Sequence, residues 1–185
     1  MKKIFRIFII TIAIVILTVV LFVALFKMDS YKKIIMEIKL SPNVIWEKFT
    51  SPEEKVFWRN DIINIVNIKD RKYPAFKEIF IDNSEKIYEV IELKEKEKFV
   101  IKFNSTYGIE NISFIVKPFN DCSRIALIHS VNIINPFNKI TILFNKKDTE
   151  LHKTFDNLVI SFTNYLRKEN ISINTVETFT QKKDK

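Results

Sequence analysis

The stretch from residue 136 to residue 168 is the longest helical pattern outside the N-terminus, and it constrains the fold more than any other segment. Its apolar residues recur every three or four positions, with an interruption only at Lys146, Lys147 and Asp148. They are Ile140, Phe144, Leu151, Phe155, Leu158, Val159, Phe162 and Leu166. The proline at position 136 suits a first helical turn. A helix this long with one apolar stripe needs a large apolar surface, for which the preceding strands are the candidates.

The region before this helix is predicted to form a sheet of about seven strands. Alternating or continuous apolar runs predict strands within residues 34–40, 62–68, 75–81, 87–93, 98–103, 112–116 and 125–133. Strands joined by short turns pair antiparallel. Ser41-Pro42 and Ser51-Pro52 each place a capping hydroxyl before a proline, which predicts two short helices after the first strand. The sequence therefore predicts an α+β domain in which one long helix lies on an antiparallel sheet.

The N-terminus is predicted to be a membrane anchor. Residues 7–26 form an uncharged run of apolar residues, and about 20 such residues suffice to cross a bilayer. A cleavable signal peptide is the alternative, but its apolar region is typically about 7–15 residues long. Residues 25–28 also lack the small residues of a cleavage site. The sequence thus predicts an uncleaved transmembrane helix within residues 1–28 and a single-pass membrane protein.

The orientation of this anchor follows less directly, because positive charges flank it on both sides. Lys2, Lys3 and Arg6 precede the apolar run, whereas Lys27 and the pair at 32–33 follow it. Positively charged flanks favour the cytoplasmic side. The compact positive N-terminus favours a cytoplasmic N-terminus, with the domain on the outer side, periplasmic or extracellular.

Composition excludes several classes of function. The net charge is +8, but lysine and glutamate alternate along residues 94–98, and no basic run lies among stacking aromatic residues, so we predict no nucleic-acid partner. The single cysteine, Cys122, excludes an internal disulfide and a cysteine-cluster metal site. Glycine-rich phosphate loops, metal motifs and a Ser-His-Asp set are absent from the sequence. We therefore expect neither a cofactor nor a metal.

Several short motifs resemble the START-like, or SRPBCC, superfamily, which includes polyketide cyclases, pathogenesis-related plant allergens and lipid-transfer domains. The motifs are LSPNVIW at 40–46, FTSPEE at 49–54, the tryptophan at 58, SFIVKP at 113–118, SRIAL at 123–127 and FDNL at 155–158. The resemblance covers residues 32–168. It implies a helix-grip fold, in which a curved sheet wraps the last helix around an apolar cavity. One departure is that many members have glycines in their turns, whereas this chain has Gly108 alone.

These observations divide the chain into three parts and leave three functions open. The parts are an anchor at 1–28, a START-like domain at 32–168 and a polar C-terminal tail at 169–185, which is expected to be frayed. The resemblance favours a membrane-anchored module that binds a lipid or another hydrophobic small molecule and needs no catalysis. The alternatives are a cyclase- or dehydratase-like enzyme with His129 as its base, and a protein-interaction domain whose own side chains fill the cavity. The sequence leaves the oligomeric state open.

Five residues are candidates for ligand contact. His129 shares a strand face with Leu127 and Val131, so it points at the apolar side, either as a polar contact or base or as a core histidine bonded to a neighbour. Arg59 suits an acidic headgroup, or else an ion pair with Asp61. The remaining candidates for the cavity lining are Trp58, Phe155 and Phe162.

Further polar residues are expected to have no role. His152 is assigned to the exposed side of a helical turn. Glu78 and Asp82 align with Phe76 and Phe80; paired carboxylates suggest acid–base work, but a solvated edge or uneven alternation explains them more simply.

Overall fold

The computed structural model describes residues 2–69, 71–145 and 148–184 and shows an α+β chain. Its elements in chain order are α1 (Lys2–Leu25), β1 (Met28–Ile38), α2 (Pro42–Thr50), α3 (Pro52–Trp58), β2 (Ile62–Ile68), β3 (Ala75–Phe80), β4 (Glu85–Lys94), β5 (Lys98–Asn104), β6 (Gly108–Phe119), β7 (Cys122–Ile133), α4 (Pro136–Asn145), α5 (Asp148–Leu151), α6 (Lys153–Lys168) and β8 (Ile173–Asp184). The seven predicted strands and the two short helices are all present.

The strands form one curved antiparallel sheet in the order β2-β3-β4-β5-β6-β7-β1-β8. Consecutive strands from β2 to β7 are neighbours, as short turns require. The first strand returns to pair with β7, from Met28 opposite Ile133 to Ile38 opposite Ser123. β1 therefore lies between β7 and β8, and the two edge strands of the sheet are β2 and β8.

The last helix lies on the concave face because its apolar stripe is buried there. Phe155, Leu158, Val159, Phe162 and Leu166 are buried, and they form one core with the inward side chains of the sheet and of α2 and α3. Removing an apolar stripe from water is the main driving force for such packing. The predicted helix-grip fold, a curved sheet around the C-terminal helix, is confirmed.

The stretch 136–168 is three helices in succession rather than one. Residues 146 and 147, at the predicted interruption, lie outside the described residues. A single helix of 33 residues would be about 50 Å long, whereas a strand of 12 residues spans about 40 Å. The break lets α6 lie on the main core while α4 and α5 cover the end of the sheet. There Ile142 and Leu151 form a second, smaller core with Met28, Val131 and Ile133.

The expectation of a frayed C-terminal tail is wrong for residues 173–184. They form β8, which pairs with β1 along its whole length, from Ile173 opposite Ile38 to Asp184 opposite Met28. β-branched residues at Thr175, Val176 and Thr178 favour a strand, and the edge of β1 offers backbone groups for pairing. Because most of this strand is exposed, it lacks the apolar alternation by which the other strands were predicted.

The scarcity of glycine is met by asparagine and lysine in the turns. Asn83, Lys96, Asn120 and Asn170 all adopt a positive φ. Asparagine tolerates this left-handed conformation better than most residues because its short side chain bonds the local backbone. The departure from the family pattern thus changes turn chemistry and leaves the sheet intact.

The N-terminal helix α1 is long and apolar enough to cross a bilayer, and the stretch Lys3–Leu21 is free of burial inside the structure. A signal sequence near an N-terminus can have the same length and composition. The hydroxyls of Thr11 and Thr18 donate to the carbonyl oxygens of Ile7 and Ile14 at 3.0 and 2.8 Å, which satisfies them within the helix. The membrane span and its orientation remain predictions.

Removing residues 173–185 should expose one side of β1 to solvent exchange. Because β1 pairs with β7 on one side and β8 on the other, about half of its amides should lose protection, while those facing β7 keep theirs. Hydrogen exchange of the full-length and truncated chains in detergent micelles measures this. The amides of β6 serve as the internal control, and unchanged protection along β1 would show that β8 does not pair in solution.

Candidate functional site

Four of the five predicted site residues meet between the sheet and α6. The ring of His129 on β7 stacks on Phe155 of α6, with centroids 5.3 Å apart. Two turns further along α6, the ring of Phe162 contacts the edge of Trp58 from α3, with centroids 5.1 Å apart. All four side chains are buried, and Trp58 is anchored by a bond from Nε1 to the carbonyl oxygen of Lys48 at 2.8 Å. The structure therefore brings these candidates together in one interior.

Several side chains of this interior pack closely against one another. Phe114, Leu127, Phe155 and Phe162 are wholly buried. The rings of Phe49 and Phe114 stack with centroids 4.1 Å apart, which leaves no room for a ligand between them. Where the family resemblance implies a cavity, these residues form a packed core.

A chain of buried polar side chains crosses this interior near the second core. Ser30 Oγ lies 2.9 Å from His152 Nε2, and His152 Nδ1 lies 2.8 Å from His129 Nδ1. The other ring nitrogen of His129, Nε2, lies 2.8 Å from Glu110 Oε2. We call Ser30, His152, His129 and Glu110 the histidine relay. It joins β1, β7 and β6 to the junction of α5 and α6.

Each ring nitrogen in the relay has a hydrogen-bond partner. Burial opposes the ionisation of Glu110, but hydrogen bonds from His129 and Ser105 outweigh burial and hold the pKa of that carboxyl below its usual value. The carboxylate therefore accepts the Nε2–H of His129. The Nδ1 atoms of His129 and His152 share a second hydrogen bond, and His152 Nε2 shares a third with the hydroxyl of Ser30.

His152 is held neutral by its surroundings. Burial, followed by the nearby His129 and Lys32, lowers the pKa of His152 from 6.5 to about 4. The ammonium of Lys32 pairs with Asp156 on α6 at 2.6 Å, beside the relay. The junction of α5 and α6 is thus tied to the sheet by the hydrogen bonds of the relay and by one ion pair.

The relay's order suggests nucleophilic chemistry, but its burial favours a structural role. A serine bonded to a histidine is the arrangement that activates a hydroxyl. Here the side chain of Ser30 is 1% exposed, and both ring nitrogens of His129 are already bonded. Both side chains are buried and bonded within the relay, so a role of His129 as a base stays a prediction.

The expectation that His152 is exposed is wrong, because this side chain is 2% exposed. The signal was present in the spacing. His152 precedes Phe155 by three positions and Val159 by seven, which places it on the apolar stripe. The spacing therefore predicts burial for position 152, whereas the polarity of histidine favours the exposed face.

Arg59 belongs to a second buried network at the other end of the interior. Its guanidinium bonds both carboxylate oxygens of Asp61 at 2.6 and 2.7 Å. The ammonium of Lys55 lies 2.6 Å from Glu78 Oε1, while Arg59 lies 3.6 Å from Oε2. Arg59 is buried and its fork is occupied, so the ion pair expected as the alternative to headgroup binding is the arrangement present.

Glu78 is wholly buried, so its assignment to a solvated edge is wrong. Burial opposes its ionisation, but the positive charges of Lys55 and Arg59 outweigh burial and lower the pKa of Glu78. Burial and the charge of Glu78 together raise the pKa of the neighbouring Tyr88. The reason for the error is that α3 carries Lys55 over β3, a contact that strand alternation does not reveal.

Within the described residues, no three or more histidine, cysteine, aspartate or glutamate side chains are grouped to hold a metal ion.

The histidine relay predicts a loss of stability in mild acid. The folded chain holds His152 neutral down to about pH 4, whereas the unfolded chain protonates it near pH 6.5. Stability is therefore fully present above pH 6.5 and falls by roughly 2–3 kcal/mol as the pH drops to 4. In His152→Asn this part of the pH dependence should vanish. Denaturant titration of the full-length chain in detergent, followed by tryptophan fluorescence, measures both; an equal slope in the variant contradicts the assignment.

Comparison with solved structures identifies the fold. A structure of Ara h 8.0201 matches with a TM-score of 0.56 and 9% identity, over 75% of this chain and 99% of that one. A truncated norcoclaurine synthase from Thalictrum flavum matches with a TM-score of 0.55 and 11% identity, over 76% and 94%. An HSP90 activator from Plasmodium falciparum matches with a TM-score of 0.51 and 18% identity, over 78% and 99%.

No family model matches the sequence, and no curated protein matches it. At identities this low, a structural likeness shows the fold alone. The chain therefore has the same helix-grip fold as these solved structures.

Proposed function

We propose that this chain is a membrane-tethered interaction domain, which α1 holds at a bilayer and which engages a partner protein through its outer surface. The observation that carries the proposal is the packed interior. Phe155 and Phe162, the predicted cavity lining, are wholly buried against the sheet and the other helices. A core of this kind stabilises the fold, and it moves recognition to the surface.

The energetics of the interior favour this reading over a ligand cavity. Burying a phenylalanine or leucine side chain contributes about 1.5–3 kcal/mol. A ligand between the sheet and α6 would have to displace several such side chains and match their packing. Its own burial would only replace contacts that Phe114 and Phe162 already make.

The β2 edge, residues 62–68, is the surface best suited to a protein partner. Sheet edges are commonly guarded by charged residues or proline, and this strand contains neither. Ile63 is 54% exposed, and Val66 is exposed as well. An uncharged edge rich in β-branched residues suits an extended segment that adds a strand to the sheet. One structural neighbour is described as an HSP90 activator, which is consistent with a protein-directed role on this fold.

The tether in this proposal is α1. Its uncharged apolar length and its exposure support insertion in a bilayer. The positive charges of Lys2, Lys3 and Arg6 support a cytoplasmic N-terminus, which would place the domain on the outer side.

A hydrophobic ligand is the second candidate, and one observation favours it. The interior holds the ammonium of Lys55 on α3 against Glu78 on β3, and it holds the relay's Glu110 on β6. Buried ionisable groups are frequent at ligand sites. In this reading a lipid or an isoprenoid would enter the space between sheet and α6 by displacing side chains.

Substitution of Phe162 separates the two candidates. If Phe162 is a structural residue, Phe162→Ala should lower the free energy of unfolding by about 3–5 kcal/mol, because a cavity replaces a wholly buried ring. Phe57→Ala on α3, where the side chain is 76% exposed, should change it by less than about 0.5 kcal/mol. Denaturant titration of the full-length chain in detergent measures both.

The ligand candidate predicts different results in the same experiment. A side chain that yields to a ligand should tolerate truncation, so a cost below about 1 kcal/mol in Phe162→Ala would favour a cavity. Protein purified from membranes would then release a hydrophobic molecule in stoichiometric amount when it is denatured and extracted. Both results together would overturn the interaction-domain proposal.

Partner contact at the β2 edge can be tested by photo-crosslinking in intact cells. A photoreactive amino acid replaces Ile63 on β2 in one strain and Phe57 on α3 in a matched strain, because both side chains are exposed. We expect a discrete protein adduct from position 63 that is absent from position 57. Adding Asn64→Lys should remove it, because a charge on the edge opposes strand pairing. Identical adducts from both positions would exclude the β2 edge.

A further inference from the structure

We propose that α4 is a membrane-surface helix, whose outward side chains contact the bilayer and fix the orientation of the domain. The inference rests on the proposed tethering by α1 and adds a second point of attachment. The lipid-facing surface, as we define it, consists of Leu25, Phe26, Ile134 and Phe137.

The first step is the contact between α4 and the end of α1. The ammonium of Lys139, in the middle of α4, donates to the carbonyl oxygen of Val23 at 3.3 Å and also to that of Phe26. A cation at the carbonyl end of a helix is stabilised by the helix dipole and satisfies carbonyls that the helix leaves free. When α1 crosses a bilayer, its last turn lies at the bilayer surface. The Lys139 contact therefore places α4 at the same depth.

The second step is the division of α4 into two faces. On one side, Ile142 is buried in the second core with Met28 and Leu151. On the other, Phe137 is 69% exposed, and Ile134, just before the helix, is 55% exposed. A large aromatic side chain exposed beside a transmembrane helix occupies the region where aromatic residues are favoured, the boundary between acyl chains and headgroups. Leu25 and Phe26 at the end of α1 continue this apolar surface.

The third step is the charge around this surface. Lys27 follows α1 directly, and its exposed ammonium lies 3.7 Å from the carboxylate of Asp29. The register of β8 places Lys182 and Lys183 opposite Ser30 and Asp29, at the same end of the sheet. Continuity with α1 indicates a bilayer as the occupant of this surface.

The geometry makes this contact an orienting device. β1 begins at Met28, three residues after α1 ends at Leu25, so the domain starts close to the bilayer. A single helix with a short link still allows the domain to tilt. A second contact through α4 would hold the α4 end of the sheet on the membrane. The β2 edge, six strands from β1 in the sheet, would then stay in a fixed position beside the bilayer.

The test is depth-dependent quenching of a fluorophore in vesicles. The full-length chain with Cys122→Ser receives one cysteine in place of Phe137, of Leu17 in α1, or of Phe57 on α3. All three replaced side chains are exposed in the structure, so labelling leaves the cores intact. Each variant is labelled with NBD and reconstituted into vesicles of phosphatidylcholine and phosphatidylglycerol. Nitroxide-labelled lipids quench from within the bilayer, and iodide quenches from the water.

We expect positions 17 and 137 to be quenched severalfold more strongly by nitroxide lipids than position 57. Shallow nitroxides should act more strongly at 137 and deep ones at 17. If position 17 is in lipid while 137 behaves like 57, the inference about α4 is overturned and the tether stands. If position 17 is quenched by iodide alone, the tether itself fails, and the inference fails with it.

Discussion

The burial of one helix stripe against a curved sheet is the interaction on which this structure depends. Phe155, Phe162 and Leu166 on α6 meet the inward side chains of β5, β6 and β7, while α2 and α3 close the remaining side with Phe49 and Trp58. Neither layer could leave its apolar face in water, so each requires the other.

Two buried polar networks determine how the helices sit on this core. The histidine relay and the Lys32–Asp156 pair hold the start of α6 over β1 and β7. The Lys55–Glu78 pair holds α3 over β3. Apolar packing alone tolerates small shifts of a helix, whereas a buried hydrogen bond is lost at once when its partners separate, and the unpaired group is costly. The networks therefore specify one arrangement within the packing that the apolar stripe provides.

In the proposed function, α1 and the β2 edge connect this core to a membrane and to a partner protein. Lys139 links α4 to the last turn of α1, and β8 adds a strand to the edge of β1 that would otherwise be free. These attachments lie at the β1 side of the sheet, and the uncharged β2 edge lies at the other side. A domain built this way separates its tethered side from its exposed edge by the width of the sheet.

The sequence by itself determined the elements that repeat a pattern along the chain. Apolar alternation located seven strands, three-and-four spacing located the helix over Phe155 and Phe162, and an uncharged run located α1. Only the tertiary structure decided the rest. β8 is mostly exposed and pairs with a strand more than a hundred residues away, so its residues lack the apolar alternation of a half-buried strand. His152 and Glu78 are buried because α6 meets β7 and α3 covers β3, and such contacts depend on how distant segments fold together.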